Sequence, residues 1–258
     1  MLNIVVPMAG RGSRFAKEGY TLPKPLIPLR GFPMIQVVIE NLRPAEPHQF
    51  HFLILREHDE TFGLADMLRD WAPGCAVIYV EEVTQGAACT VLLARDAINN
   101  DSPMMIANCD QYIDASIDTY LADMGDADGL IMTMWADDDK WSFVRRDDTG
   151  RVVEVVEKVV VSDEATVGIY NFSRGSDFVR CAEIMIAADE RVNGEFYVAP
   201  VYNALVKEGA TINCHSIGKV GAGMHGIGVP DDLKAFEASP VAYKAVKNLP
   251  SPNEGRRS

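Results

Sequence analysis

Residues 2–15 read Leu2-Asn3-Ile4-Val5-Val6-Pro7-Met8-Ala9-Gly10-Arg11-Gly12-Ser13-Arg14-Phe15. The run at 3–6 is short and apolar, and a glycine-bearing turn follows at once, the pattern of a strand buried on both faces. Two glycines let a backbone approach a ligand closely and turn its N–H groups toward phosphate oxygens. Arg14 adds a planar fork suited to phosphate. A tight turn without a ligand would carry the same Gly-x-Gly. The dinucleotide fingerprint is excluded, because Phe15 fills the third glycine position, and so is a Walker A loop, because no Gly-Lys-Ser/Thr occurs.

Outward from this turn, apolar runs predict strands at 52–55, 77–80, 104–107 and 130–136. Between them, helical stripes predict helices over 33–42, 64–71, 87–97 and 117–124. Such alternation indicates an α/β fold with a mostly parallel sheet and helices on both faces. The pattern changes after Ala136. Segments 142–146 and 151–157 flank Asp147-Asp148-Thr149-Gly150, which reads as a β-hairpin. Then come a strand at 166–172, a helix capped by Ser176 and running to about Asp189, a helix over 198–208, a strand at 212–216 and a helix over 230–238. Residues 248–258 read as a disordered tail. One domain is expected over 1–240, divided into halves 1–136 and 137–240, with 241–258 as a C-terminal extension.

With 258 residues, 48% hydrophobic and 24% charged, the chain is globular in composition. Its longest apolar runs are too short for a membrane span, and no secretion signal is legible. Five cysteines without a Cys-x-x-Cys read as reduced thiols, which suits a cytoplasmic chain and disfavours a zinc or disulfide framework. A net charge of −13 argues against nucleic acid or an anionic membrane as partner. Residues 1–30 nevertheless carry +4, from Arg11, Arg14, Lys17, Lys24 and Arg30 against Glu18. That local excess suits a small polyanion; a solvated basic loop would give the same count. Within it, Leu22-Pro23-Lys24-Pro25-Leu26 places a lysine between two prolines, which restrict the backbone and fix the segment.

Taken together, Gly10-x-Gly12-x-Arg14-Phe15 and Lys24-Pro25-Leu26 resemble the signature of the sugar-phosphate nucleotidyltransferases, the NDP-sugar pyrophosphorylases. The resemblance extends over nearly the whole chain. Gln85-Gly86-Ala87-Ala88 resembles the family's base-reading segment, and Asn108-Cys109-Asp110 stands where the family has a metal-binding aspartate. Glu157-Lys158 and Gly168-Ile169-Tyr170 resemble its sugar-site strands. Gly226-Ile227-Gly228-Val229-Pro230-Asp231-Asp232-Leu233 resembles its late Gly-Thr-Pro-Glu-Asp-Leu segment.

The resemblance implies a Rossmann-like three-layer αβα nucleotidyltransferase fold, similar to the GT-A fold, with a nucleotide-binding first half and a β-rich acceptor-binding second half. It implies transfer of NMP from an NTP to a phosphorylated acceptor, most simply a sugar-1-phosphate, with release of pyrophosphate and with Mg²⁺ as cofactor. Met8, Ala9, Gly10, Gly12, Ser13, Gln85, Gly86 and Ala87 would hold the nucleotide. Arg14 would meet the triphosphate, Lys24 the α-phosphate and incoming phosphate, and Asp110 the Mg²⁺. Ser142, Glu157, Lys158 and Tyr170 are the candidates for the acceptor. Residue chemistry agrees: cationic groups offset phosphate charge, a glutamine can read a base edge, and a carboxylate at a strand end can hold Mg²⁺ beside phosphates. Each candidate also has a plainer reading, as a loop glutamine, a turn aspartate, a strand-edge lysine or a core tyrosine. Cys109 reads as a packed thiol.

One position departs from the pattern. Where related enzymes carry a second metal aspartate, this chain has Gly226, so either Asp110 acts with Mg²⁺ whose remaining coordination is filled by water, or another acid such as Asp231 or Glu195 contributes. Relatives with this ending occur in capsule and surface-polysaccharide contexts, and some cytidylyltransferases take phosphates other than sugar-1-phosphates. A GT-A glycosyltransferase and a non-catalytic nucleotide-binding regulator are the competing readings. A homo-oligomer is compatible with all of them.

Overall fold

The computed structural model describes residues 1–250. Among the described residues thirteen strands form in chain order: β1 Leu2–Pro7, β2 Pro28–Leu29, β3 Phe32–Pro33, β4 His48–Leu55, β5 Ala76–Val80, β6 Met104–Ala107, β7 Gln111–Ile113, β8 Gly129–Trp135, β9 Ser142–Arg146, β10 Val152–Glu157, β11 Glu164–Phe172, β12 Ile212–Val220 and β13 Gly223–Gly226. Eleven of them make one sheet in the order β5-β4-β1-β6-β11-β8-β12-β13-β7, with β9 joined to β11 and β10 to β9; β2 and β3 form a separate ribbon.

β1 lies between β4 and β6 and is parallel to both. β5 continues this set beyond β4, also parallel. β11 runs antiparallel between β6 and β8, so a strand from the second half sits inside the sheet of the first. Along β1, Leu2, Ile4 and Val6 enter one buried cluster and Val5 another, as alternation requires when helices cover both faces. This is the three-layer α/β arrangement that the strand–helix alternation implies.

The hairpin over 142–157 is present, and its turn is held by Asp147, whose Oδ1 accepts the Thr149 and Arg151 amides at 2.9 and 3.0 Å. Three helix readings need correction. Ser176 is not a cap, because the helix Gly175–Ala187 already includes it. There the Gly175 and Ser176 amides donate to the Ser102 and Asn100 carbonyls at 2.9 and 3.0 Å, so a loop replaces the side-chain cap. The stretch 87–97 divides into helices Ala87–Leu92 and Arg95–Ile98. The stretch 198–208 begins as a 3₁₀ turn, Ala199–Val201, around Pro200 before the α-helix Tyr202–Lys207.

Part of the C-terminal extension is ordered structure. The helix Pro240–Val246 buries Ala242 and Ala245 in the core cluster that also holds the helix Met34–Leu42. Arg30 stacks on Tyr243, with its guanidinium carbon 3.6 Å from the ring centroid. From Ser251 onward, the tail expected to be disordered lies outside the described residues. No helix among the described residues is long and apolar enough to cross a membrane.

Candidate active site

A cleft of about 460 Å³ opens beyond the carboxyl ends of β1, β5 and β6. Ligands of open α/β sheets sit at that edge, and the volume suits a small molecule. Met8, Ala9, Gly10 and Gly12 line it. The Met8 amide donates to Leu53 of β4 at 2.9 Å, and the Gly12 carbonyl accepts from Phe15 and Ala16 at 3.0 and 3.2 Å. Phe15 is buried and meets Tyr20 edge-on, which anchors the short helix Ser13–Lys17. Ser13 and Arg14 lie on that helix, exposed, and outside the cleft lining.

Lys24 begins a 3₁₀ turn, Lys24–Leu26, after an extended Pro23. Buried Leu26 and Ile27 pin the turn into the core. The Lys24 Nζ donates to Asp110 Oδ2 at 2.6 Å, and both side chains are mostly buried. Burial alone would favour the neutral amine. The Asp110 carboxylate, by its charge and its hydrogen bond, more than reverses this and holds the ammonium well above the usual lysine range. Cys109 is buried, and desolvation pushes its thiol up to about 11, so it is a neutral packing group there.

Asp110 ends the short connection from β6 to β7 and faces Gly228, where a Cβ would overlap its Oδ2. Gly226 lies on β13 opposite Gln111, and a Cβ there would stand 3.4 Å from Asp232 Oδ2. Asp231 lies on the helix surface, 3.6 Å from Lys234, and is 90% exposed. Of the two alternative acids, Glu195 is the one that lines the cleft. No group of three or more His, Cys, Asp or Glu among the described residues could hold a metal by itself.

Gly86 and Ala87 line the cleft, while Gln85 is exposed at its margin. Gly86 has φ 133, and a Cβ there would overlap the backbone of Phe196. Phe196 brackets this segment: its amide donates to Gln85 O at 2.9 Å, and its carbonyl accepts from Ala88 at 3.0 Å. Gly86→Ala should therefore lower stability by about 2 kcal/mol through backbone strain alone, read as a lower urea midpoint with unchanged m-value; a wild-type midpoint would show that the segment relaxes freely.

The acceptor candidates form a second group. The Ser142 hydroxyl donates to Glu157, and both are buried. Burial pushes the Glu157 carboxyl up, partly offset by Ser142 and Lys158. Lys158 has φ 56, uncommon for a residue with a Cβ, and its amide donates to Trp141 O at 2.9 Å. Its ammonium donates to the Tyr197 hydroxyl and lies 4.4 Å from that ring's centroid. Tyr170 is packed against Tyr202, with its hydroxyl 2.8 Å from Thr166 Oγ1. None of these four lines the main cleft; the segment Glu195–Tyr197 spans from it to Lys158.

That segment was not foreseen beyond Glu195. Its signal was Asn193-Gly194, with φ 50 and 82, a two-residue turn across the Val192–Glu195 bridge. Thr84 and Thr90 were also missed; they line the cleft with their hydroxyls 2.6 Å apart.

A family model described as Nucleotidyl transferase matches residues 4–194. The bifunctional protein GlmU of Ralstonia nicotianae is 27% identical over 220 residues, covering 82% of this chain and 46% of the relative. The chain thus spans about half the length of the curated relatives it matches. A nucleoside-diphosphate-sugar pyrophosphorylase from Vibrio cholerae superimposes with a TM-score of 0.78 at 26% identity, covering 92% of this chain and 100% of that one. A UDP-glucose pyrophosphorylase complexed with UDP-glucose gives 0.73 at 16% identity, over 95% and 99% of the two chains, a likeness of fold.

Proposed function

The chain belongs to the nucleotidyl transferase family, and on that premise we propose that it transfers NMP from an NTP to a phosphorylated small-molecule acceptor, most simply a sugar-1-phosphate, releasing pyrophosphate. The observation that carries this reading is the Lys24–Asp110 pair, set in the cleft with the Gly10–Gly12 turn. A fixed cation and a fixed carboxylate at the mouth of a glycine-lined turn suit phosphoryl chemistry.

In this reading, a phosphate oxygen of the acceptor attacks the α-phosphorus and pyrophosphate leaves. The acceptor phosphate is already nucleophilic, so the chain's residues position and neutralise rather than abstract a proton. Lys24 takes the α-phosphate and the incoming phosphate. Arg14, exposed on the adjacent helix, reaches over the triphosphate from the cleft rim. Gln85 and the Gly86–Ala87 backbone meet the base. Asp110 suits Mg²⁺: its Oδ2 already seats the cationic ammonium, and one carboxylate together with phosphate oxygens is an ordinary Mg²⁺ environment. When bound, the ion would draw charge from the phosphates.

On the acceptor side, Lys158 faces the incoming phosphate, while Glu157 and Glu195 address hydroxyls. Lys158→Ala should raise the acceptor KM about tenfold and leave the NTP KM nearly unchanged; an equal loss on both would move the acceptor site elsewhere. The testing experiment is a matrix of NTPs against phosphorylated acceptors, read by pyrophosphate release with Mg²⁺. Because Gly226 replaces the second aspartate, the matrix includes non-sugar phosphates. Nucleotide binding without release in every cell would favour the regulator. Transfer from an NDP-sugar instead would favour the glycosyltransferase. A product destined for capsule or surface polysaccharide, made in the cytoplasm, completes the proposal.

A further inference from the structure

We infer that Lys24 acts as a built-in competitor for the cation seat on Asp110, so that this chain takes up a divalent ion only together with nucleotide. The inference rests on the reading of Asp110 as the cation ligand and goes beyond it to the order of assembly.

Neither partner of the pair has much freedom. Lys24 leaves a turn held between Pro23 and Pro25, and its Cβ lies 3.0 Å from where a Cβ on Gly12 would stand. Asp110 is tied to the 226–229 segment by its own carbonyl, which accepts from the Ile227 amide at 2.9 Å, and its carboxylate faces the open backbone of Gly228. The 2.6 Å contact therefore joins two groups that the backbone delivers to each other. It is not the chance meeting of two long surface side chains.

A divalent ion on Asp110 would share a carboxylate that already holds the Lys24 ammonium through Oδ2. Bringing an ion beside an ammonium in a half-buried cleft is repulsive. The neighbour facing Asp110 Oδ2 is Gly228, which brings no side-chain ligand, and no group of three His, Cys, Asp or Glu stands ready among the described residues, so the protein has little to offset that repulsion. Nucleotide phosphates change both sides together. Lys24 gains phosphate oxygens as a new partner, and Asp110 is left to the ion that the phosphates carry. Linkage makes the effect reciprocal: if nucleotide raises cation affinity by drawing Lys24 off Asp110, the cation raises nucleotide affinity by the same factor.

The test measures Mn²⁺, as the spectroscopic probe for the divalent ion, by EPR titration of the full chain without nucleotide. Wild type, Lys24→Met and the double variant Lys24→Met/Asp110→Asn are compared, each checked for folding by circular dichroism. Lys24→Met is expected to bind Mn²⁺ at least about tenfold more tightly than wild type, and the double variant to lose the gain. Equal affinity of wild type and Lys24→Met, or a gain that survives loss of Asp110, overturns the inference. Should Lys24→Met fail to fold, Lys24→Gln supplies a polar but uncharged side chain of similar reach to methionine, and the same comparison decides. Pyrophosphate release measured on the wild type separates the two readings. Release without a Lys24 effect on Mn²⁺ removes the inference alone. A Lys24 effect with no release from any substrate pair removes the proposed function alone.

Discussion

Lys24→Ala is expected to lower kcat by about a hundredfold or more while the chain stays folded, since loss of one charge facing a transferring phosphoryl group costs on the order of 3 kcal/mol. Nothing apolar is lost from the core, because Pro25, Leu26 and Ile27 still anchor the turn. The Asp110 carboxylate is left without its ammonium. Its side chain is 27% exposed, so water can take over part of the contact, and the stability cost should be about 1 kcal/mol. Steady-state pyrophosphate release and thermal melting, measured on one preparation, check both halves. Near-wild-type turnover in the folded variant would remove Lys24 from the chemistry.

Asp110→Asn should reduce turnover by at least about a hundredfold at ordinary Mg²⁺, and EDTA should abolish the wild-type activity. Asparagine keeps the size and can still accept from Lys24, so the fold is preserved while the charge that attracts a cation is gone. The measurement is a Mg²⁺ titration of both proteins. Full activity without any divalent ion, or an Asn variant with an unchanged Mg²⁺ dependence, would mean that Asp110 only orients Lys24.

Residue pattern made part of this legible and left part hidden, for physical reasons that differ by position. β1, β6 and the turn between Met8 and Gly12 were readable because continuous apolar runs ended by turn-forming residues, glycine after β1 and Asn108 after β6, are local signals. β7 and β13 were not. They have three and four residues, include Gln111, His225 and two glycines, and form through tertiary pairing at the sheet's end, β13 with β12 and β7 with β13. The helix Arg56–Phe62 was missed because its sequence is mostly charged, with only His58 buried, and it is defined by β4 before it and the left-handed Gly63 after it. In the site, Lys24 and Asp110 were found separately in the sequence, but their pairing across 86 positions is a product of the fold. Tyr170 shows the opposite limit: its segment resembles a sugar-site strand, yet its ring is packed inward, only 6% exposed. A motif locates a backbone, and the alternation of faces decides which side chain is offered to a ligand.

The bracket that Phe196 forms around Gln85 and Ala88 has a consequence for how such a chain can diversify. In the proposed reading, Phe196 belongs to the acceptor side and supplies the wall against which the base-side loop is folded, and the next residue, Tyr197, holds Lys158. Transplanting residues 137–200 from a cousin with another acceptor would therefore carry a new backing for the base-side loop as well. Recombinants cut at Ala136 should inherit altered base preference along with altered acceptor preference. Lineages built on this layout would have to change both tastes in small, matched steps rather than by exchange of whole halves.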